Sequence, residues 1–312
     1  MIDQAEKLRN IVNNLKNKSD DISSQDEDHS VTTETEKVKL SSRTKVITVT
    51  SGKGGVGKTS VTVNLAIALS QKGFKVVVID ADFGLSNIDV VFGIVPKYTL
   101  LDMVNDKMSI LDILCDGPSN IKFISGGSGV QELINLDKSS LATFTANMSL
   151  LDHIADYILI DTGAGLSDTV MNFVLSAEEV VLVITPEPTS VTDAYALVKT
   201  VSRTKKDCKI KILINRAESE IEAKNVYNNF STVADRFLGM KLDSLGYLLF
   251  DQSFIKSVKL QKPYLLNYPK NSTSRLINEI ADSLIMIDLN NYNVTQSGIK
   301  GFINRFVGLF TN

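Results

Sequence analysis

Eight residues constrain this chain more than any others: Gly52-Lys53-Gly54-Gly55-Val56-Gly57-Lys58-Thr59. Glycine loses the most conformational freedom on ordering, so a run this rich in it belongs to a loop. The flanks say what the loop joins. Val46-Ile47-Thr48-Val49 is β-branched throughout and suits a pleated strand. Ser60 opens a stretch that runs with helical character to Lys72. A G-x-x-x-x-G-K-[ST] spacing between a strand and a helix predicts a phosphate cradle. The glycines let backbone N–H groups close on phosphate oxygens, and the helix N-terminus adds positive dipole charge. Lys58 is placed for the β and γ phosphates, and the Thr59 hydroxyl for Mg²⁺.

The rest of the chain supports one large α/β unit with tails. It has 312 residues, 43% of them hydrophobic and 22% charged, which is enough to bury a sizeable core. Its net charge of -3 counts against a surface built to hold DNA phosphates. Cys115 and Cys208 lie far apart with no CxxC spacing, which disfavours a disulfide framework, a zinc site and a shared iron–sulfur cluster. His29 and His153 are isolated. The first residues hold no apolar signal core, and no apolar run is long enough to span a bilayer. These features predict a cytoplasmic protein.

Residues 1–16 carry Ile2, Ala5, Leu8, Ile11, Val12 and Leu15 at helical spacing. Residues 17–43 are polar and charge-dense, a composition that predicts a flexible linker. From residue 44 to about 290, short apolar runs alternate with amphipathic stretches. Strands are expected at Lys45–Thr50, Lys75–Asp80, Ile121–Ile124, Tyr157–Asp161, Val180–Ile184, Ile210–Asn215 and Leu245–Phe250. Helices are expected at Ser60–Lys72, Thr169–Ser176, Thr189–Thr204, Ala223–Leu238 and Thr273–Ile287. The alternation predicts a doubly wound, mostly parallel sheet flanked by helices, of the P-loop NTPase kind. Ligands in such sheets bind at the carboxyl ends of the strands. Two expected strands end there in acids. One reads Asp80-Ala81-Asp82, and the other ends in Asp161-Thr162-Gly163-Ala164-Gly165. Asp161, after four apolar residues, has the form of a Walker B acid that serves Mg²⁺.

The second lysine of the loop, Lys53, makes GKGGVGKT resemble the deviant Walker A signature of the MinD/ParA ATPases. The resemblance covers residues 45 to about 288. It implies ATP and Mg²⁺ as cofactors and ATP hydrolysis as the reaction. It assigns the nucleotide to Gly52 through Ser60, with Lys58 and Lys53 as catalytic cations, Lys53 acting across a homodimer interface. Asp82 orients the attacking water, and Thr59, Asp80 and Asp161 serve the Mg²⁺ ion. Pro186-Glu187-Pro188-Thr189-Ser190-Val191-Thr192-Asp193 resembles the family's PExxSVxD stretch. By that match Glu187 contacts the partner's nucleotide and Asp193 holds Lys53 at rest. Asn215 and Arg216 stand where the family reads adenine, and Asp251 is a further candidate for ribose or base. The stretch Asn215-Arg216-Ala217-Glu218 is not a guanine-reading NKxD motif.

The two ends point to a branch of that family. Ile299, Phe302, Ile303, Phe306, Val307 and Phe310 fall on one helical face within residues 297–310. The segment resembles the membrane-targeting helix of MinD-like proteins, which implies reversible attachment to the inner face of the cell membrane. A helix docked on the protein's own surface is the other reading of that stripe. Asp3-Gln4-Ala5-Glu6-Lys7-Leu8-Arg9 resembles the DQAxxLR motif of the FlhG family, MinD-like regulators of flagellar number and placement. The match implies that the GTPase FlhF is a partner, activated by Gln4 with Asp3, Ala5, Leu8 and Arg9 in the contact, and that flagellar C-ring components are others. Division-type MinD, DNA-partition ParA and an iron–sulfur carrier ATPase, the last disfavoured by the missing CxxC spacing, are the alternatives. The first would not need residues 1–16, and the second is disfavoured by the net charge.

Overall fold

The computed structural model describes residues 44–82, 87–105, 108–127, 138–286 and 298–309. The expected N-terminal helix and linker, with Asp3, Gln4, Ala5, Leu8 and Arg9, lie outside the described residues, as does Phe310.

An eight-stranded sheet forms the centre, with strand order β3-β4-β2-β5-β1-β6-β7-β8. Its strands are β1 Lys45–Ser51, β2 Val76–Ala81, β3 Cys115–Asp116, β4 Lys122–Ile124, β5 Tyr157–Ala164, β6 Glu179–Ile184, β7 Lys209–Ala217 and β8 Asp243–Leu249. Every pairing is parallel except that of β3 with β4. The seven expected strands are all present. The two-residue β3 was not expected, being too short to show any periodicity.

Helices cover both faces. They are α1 Lys58–Gln71, α2 Ile88–Phe92, α3 Leu100–Asn105, α4 Ile110–Ile113, α5 Lys138–Ser149, α6 Asp168–Ser176, α7 Pro188–Thr204, α8 Glu220–Leu238, α9 Gln252–Lys259, α10 Tyr264–Asn267, α11 Ser272–Met286 and α12 Gly298–Gly308. The central strands β2 and β6 are buried end to end, and β1 is buried from Val46 onward, which explains their near-continuous apolar sequences. Alternation along them separates two apolar clusters. Val77 and Ile79 of β2 with Ile158 and Ile160 of β5 face one, which includes residues of α5, α6, α7 and α12. Val76, Val78, Tyr157 and Leu159 face the other, with residues of α1, α10 and α11. Asp80 and Asp161 are therefore turned to the α1 side.

Candidate functional site

Register brings the two predicted acids together. In the β2–β5 pairing Asp80 stands directly opposite Asp161. Asp161 is fully buried beneath the first turn of α1. Its Oδ1 accepts from Lys58 Nζ at 3.2 Å and from Thr62 Oγ1 at 3.1 Å, and its Oδ2 accepts from Thr59 Oγ1 at 2.6 Å. Thr62 was missed in the sequence. The available signal was its place one helical turn after Lys58.

Asp80 accepts three backbone N–H groups: Asp82 at 3.1 Å, Asn87 at 2.9 Å and Ile88 at 3.1 Å. These bonds hold the chain that leaves β2. Burial, and after it the facing Asp161, push the Asp80 carboxyl up to about 6 against the three N–H bonds. Burial also raises Asp161, opposed chiefly by the Lys58 ammonium. Two facing, buried carboxylates, both of raised proton affinity, with a threonine hydroxyl 2.6 Å from one of them, fit a divalent cation. Asp80, Asp161 and Thr59 would hold it. A hard dication there would neutralise phosphate charge. Asp82 lies beside the end of β5, where a Cβ on Gly163 would sit 3.4 Å from Asp82 Oδ1. The sequence-expected cation ligands and the water-orienting acid are thus in one place.

The loop depends on two close approaches. Gly57 has φ of +91°, and a Cβ there would stand 2.6 Å from Asn215 Nδ2. Gly52 packs on the first turns of α7, where a Cβ would lie 2.3 Å from the Asp193 carbonyl carbon. Asn215, at the carboxyl end of β7, donates Nδ2 to the Val56 carbonyl at 2.7 Å. Its amide therefore ties the loop to the sheet while standing beside a cavity of about 120 Å³. Gly57, Ser60, Val61, Asn215 and Arg216 line one side, and Leu249, Phe250, Asp251, Phe254 and Ile255 the other. The apolar wall from β8 and α9 was missed in the sequence.

Two roles differ from expectation. Lys53 Nζ bonds Glu187 Oε2 at 2.8 Å and Thr189 Oγ1 at 2.8 Å, so Glu187 and Thr189, not Asp193, hold it in cis. Asp193 meets the loop through its backbone, because α7 approaches Gly52 too closely for anything larger. Lys53 also holds the exposed Glu187 carboxyl below its ordinary range. Asp251 does line the cavity, but both its oxygens are engaged. Oδ1 caps α9 at Ser253 N, 2.7 Å away, and Oδ2 accepts from the Tyr264 hydroxyl. It is a brace for the cavity wall, not a free acceptor for ribose or base.

The C-terminal stripe is turned inward. Ile299, Phe302, Ile303 and Phe306 are buried and Val307 half-buried, against α5 and α6. Phe306 meets Phe173 at 4.6 Å between ring centres. The first amides of α12 point at carboxylates. Ile299 N and Lys300 N donate to Asp152 at 2.8 and 3.2 Å, and Gly298 N donates to Glu178 at 3.1 Å. Arg305 Nε donates to the Ser176 carbonyl at 2.8 Å. Among the described residues no helix is long and apolar enough to cross a membrane.

Comparison with known proteins agrees with this geometry. The ParA family profile, described as NUBPL iron-transfer P-loop NTPase, matches residues 42–285. The chain is 38% identical to antiactivator FleN of Pseudomonas aeruginosa over 240 residues, 77% of this chain and 86% of that protein. It is 32% identical to the flagellum site-determining protein YlxH of Helicobacter pylori over 267 residues, 85% of this chain and 90% of the other. The structure of septum site-determining protein MinD with Mg-ADP from Pyrococcus horikoshii superposes with a TM-score of 0.63 at 25% identity, over 80% of this chain and all of that one. The iron-transfer part of the profile's description finds no counterpart in the cysteines. Cys115 lies on β3 at one edge of the sheet, and Cys208 just precedes β7 near the other.

Proposed function

From the premise that the chain belongs to the ParA family of P-loop NTPases, as an ATP-binding ATPase of the MinD/ParA type, we propose that it is a switch acting on flagellar number or placement. In this reading ATP draws Lys53 away from Glu187 and Thr189 into a second subunit's site, closing a homodimer. Charge in the transition state is then neutralised by Lys58 and Lys53, and a cation held by Thr59, Asp80 and Asp161 would add to this. Asp82, beside Gly163, positions the water. The closed state releases α12, whose apolar face binds the inner surface of the cell membrane. Two copies on one dimer bind more tightly than one by avidity. Hydrolysis reverses the sequence. The output is control of FlhF through Asp3, Gln4, Ala5, Leu8 and Arg9, and of C-ring assembly.

The observation that carries this reading is the pairing of a complete phosphate site with a self-docked apolar helix on one chain. Likeness to FleN and YlxH directs it to flagella. The test is GTP hydrolysis by purified FlhF with the full chain, with a peptide of residues 1–16, and with Gln4→Ala forms of each. Stimulation that Gln4→Ala abolishes is expected. No stimulation by either would move the assignment to a division-type MinD. For the switch itself, Asp82→Ala should bind ATP with unchanged affinity, hydrolyse it at least 100-fold more slowly and remain dimeric. Normal hydrolysis would remove Asp82 from the mechanism.

A further inference from the structure

A surface of this chain that borders the cavity at Phe254 and Ile255 stands out in charge. From Gln252 to Asn278 there is no aspartate or glutamate, while Lys256, Lys259, Lys262, Lys270 and Arg275 all fall there, in a chain whose net charge is -3. All five are exposed, and the four lysines make no ion pair among the described residues. Apolar side chains are interleaved with them. Ile255 is 53% exposed, Leu260 59% and Val258 38%. In residues 255–262 only Ser257 is buried. The segment is also fixed in place. Asp251 caps α9, and Phe254 stacks on Tyr264 with ring centres 4.1 Å apart.

We propose that Ile255–Lys262 is a contact surface for an anionic lipid bilayer, separate from α12. Lysines close to such a surface are drawn to its headgroups, and apolar neighbours gain by entering the acyl boundary. A nucleic acid would reward the lysines but not Val258 and Leu260, since its backbone offers only phosphate and sugar. That composition favours lipid. A rigid surface also loses little entropy on contact, unlike a helix that must first leave its dock. The inference rests on the reading that the chain works at a membrane, but not on how α12 behaves.

The test is co-sedimentation of the full chain, with ATP and Mg²⁺, on vesicles rich in phosphatidylglycerol and on phosphatidylcholine vesicles. Lys256→Glu/Lys259→Glu/Lys262→Glu should lower partition onto the anionic vesicles at least tenfold. Val258→Ser/Leu260→Ser should lower it several-fold. Both should keep the wild-type melting temperature and ATPase rate. Unchanged partition in the charge-reversed protein overturns the proposal. So does tighter binding to duplex DNA than to vesicles, lost with the lysines and kept by Val258→Ser/Leu260→Ser. A Phe302→Asp/Phe306→Asp chain separates the two ideas. Loss there with none in the lysine variant would sink the patch and leave the α12 reading standing. The reverse pattern would sink the α12 reading and leave the patch.

Discussion

Substituting Gly298 by alanine should open the C-terminal dock without touching its apolar contacts. Gly298 has φ of +76°, which costs an L-residue about 1 kcal/mol. A Cβ there would stand 2.4 Å from Asp152 Oδ1 and 2.9 Å from its Cγ. The Asp152 carboxylate must then move away from the amides of Ile299 and Lys300 that it caps. Loss of a cap of this kind costs about 1–2 kcal/mol. Together these give about 2–3 kcal/mol, or roughly a 30- to 150-fold rise in the undocked fraction. Burying Ile299, Phe302, Ile303 and Phe306 contributes roughly 1.5–3 kcal/mol each, against an ordering cost of about 1 kcal/mol or more per residue of the helix. The dock is therefore poised closely enough for such a change to matter. Amide hydrogen exchange over residues 299–308 reads the undocked fraction directly. Gly308→Ala is the control, because a Cβ there meets nothing within 4 Å on the same helix. Unchanged protection in Gly298→Ala, or equal loss in Gly308→Ala, would refute the cap as the determinant of docking.

Three further outcomes are expected. Gly52→Ala drives a Cβ to 2.3–2.5 Å from the backbone of Asp193 and Ala194, so it should cost about 3 kcal/mol in denaturant unfolding and weaken ATP binding; a wild-type midpoint and affinity would show that α7 gives way easily. Asp80 has a folded value of about 6 against an ordinary 3.8, so in the absence of Mg²⁺ its contribution to stability is full below about pH 4 and is lost as pH rises through 6, by an amount of order 3 kcal/mol; melting between pH 4 and 7 should show this slope, with Asp80→Asn and added Mg²⁺ each flattening it. Tyr264→Phe removes the hydroxyl that holds Asp251 and leaves the stack on Phe254, so the Michaelis constant for ATP should rise several-fold with little change in turnover; a fall in turnover at an unchanged Michaelis constant would mean a general loss of structure.

The sequence was most legible where chemistry and backbone demand fall on the same few residues. The loop from Gly52 to Thr59 states its own conformation, and Asp80 and Asp161 stand at the ends of apolar runs that only a buried parallel strand explains. Register then makes the pairing of those acids nearly automatic. What escaped was set by distance in the fold. Lys53 has a flexible stem, residues 187–193 offer it several acceptors in sequence, and only packing selects Glu187 and Thr189. Asp251 looked like a ligand because it directly follows the expected strand Leu245–Phe250, but its partner Tyr264 comes from a later helix. The short helices α2, α3 and α4 and the eight-residue α9 span too few turns to show a period. The inward turn of α12 could not be read from its stripe, because an apolar face suits a bilayer and a groove equally.

The sheet explains how one chain could link the phosphate site to the C-terminal helix. The two strands that carry Asp80 and Asp161 also form part of the floor of the dock. Ile79 and Ile160 precede Asp80 and Asp161 by one residue and, by alternation, face α12 with Phe173. The residues of β2 and β5 that line the dock, Ile79 and Ile160, are apolar and carry no charge to pass a signal by attraction. Movement can pass one. α6 begins with the Ser167 cap, two residues after Gly165, and carries Phe173 into contact with Phe302 and Phe306. Arg305 and Gly298 hold the same helix end through the Ser176 carbonyl and Glu178. A shift in the β5–α6 loop toward a terminal phosphate would pull α6 along its axis and shear both contacts at once. Close-packed interfaces answer such a shear by separating, not by stretching. In the proposed switch, undocking is thus the mechanical consequence of closing the loop on phosphate.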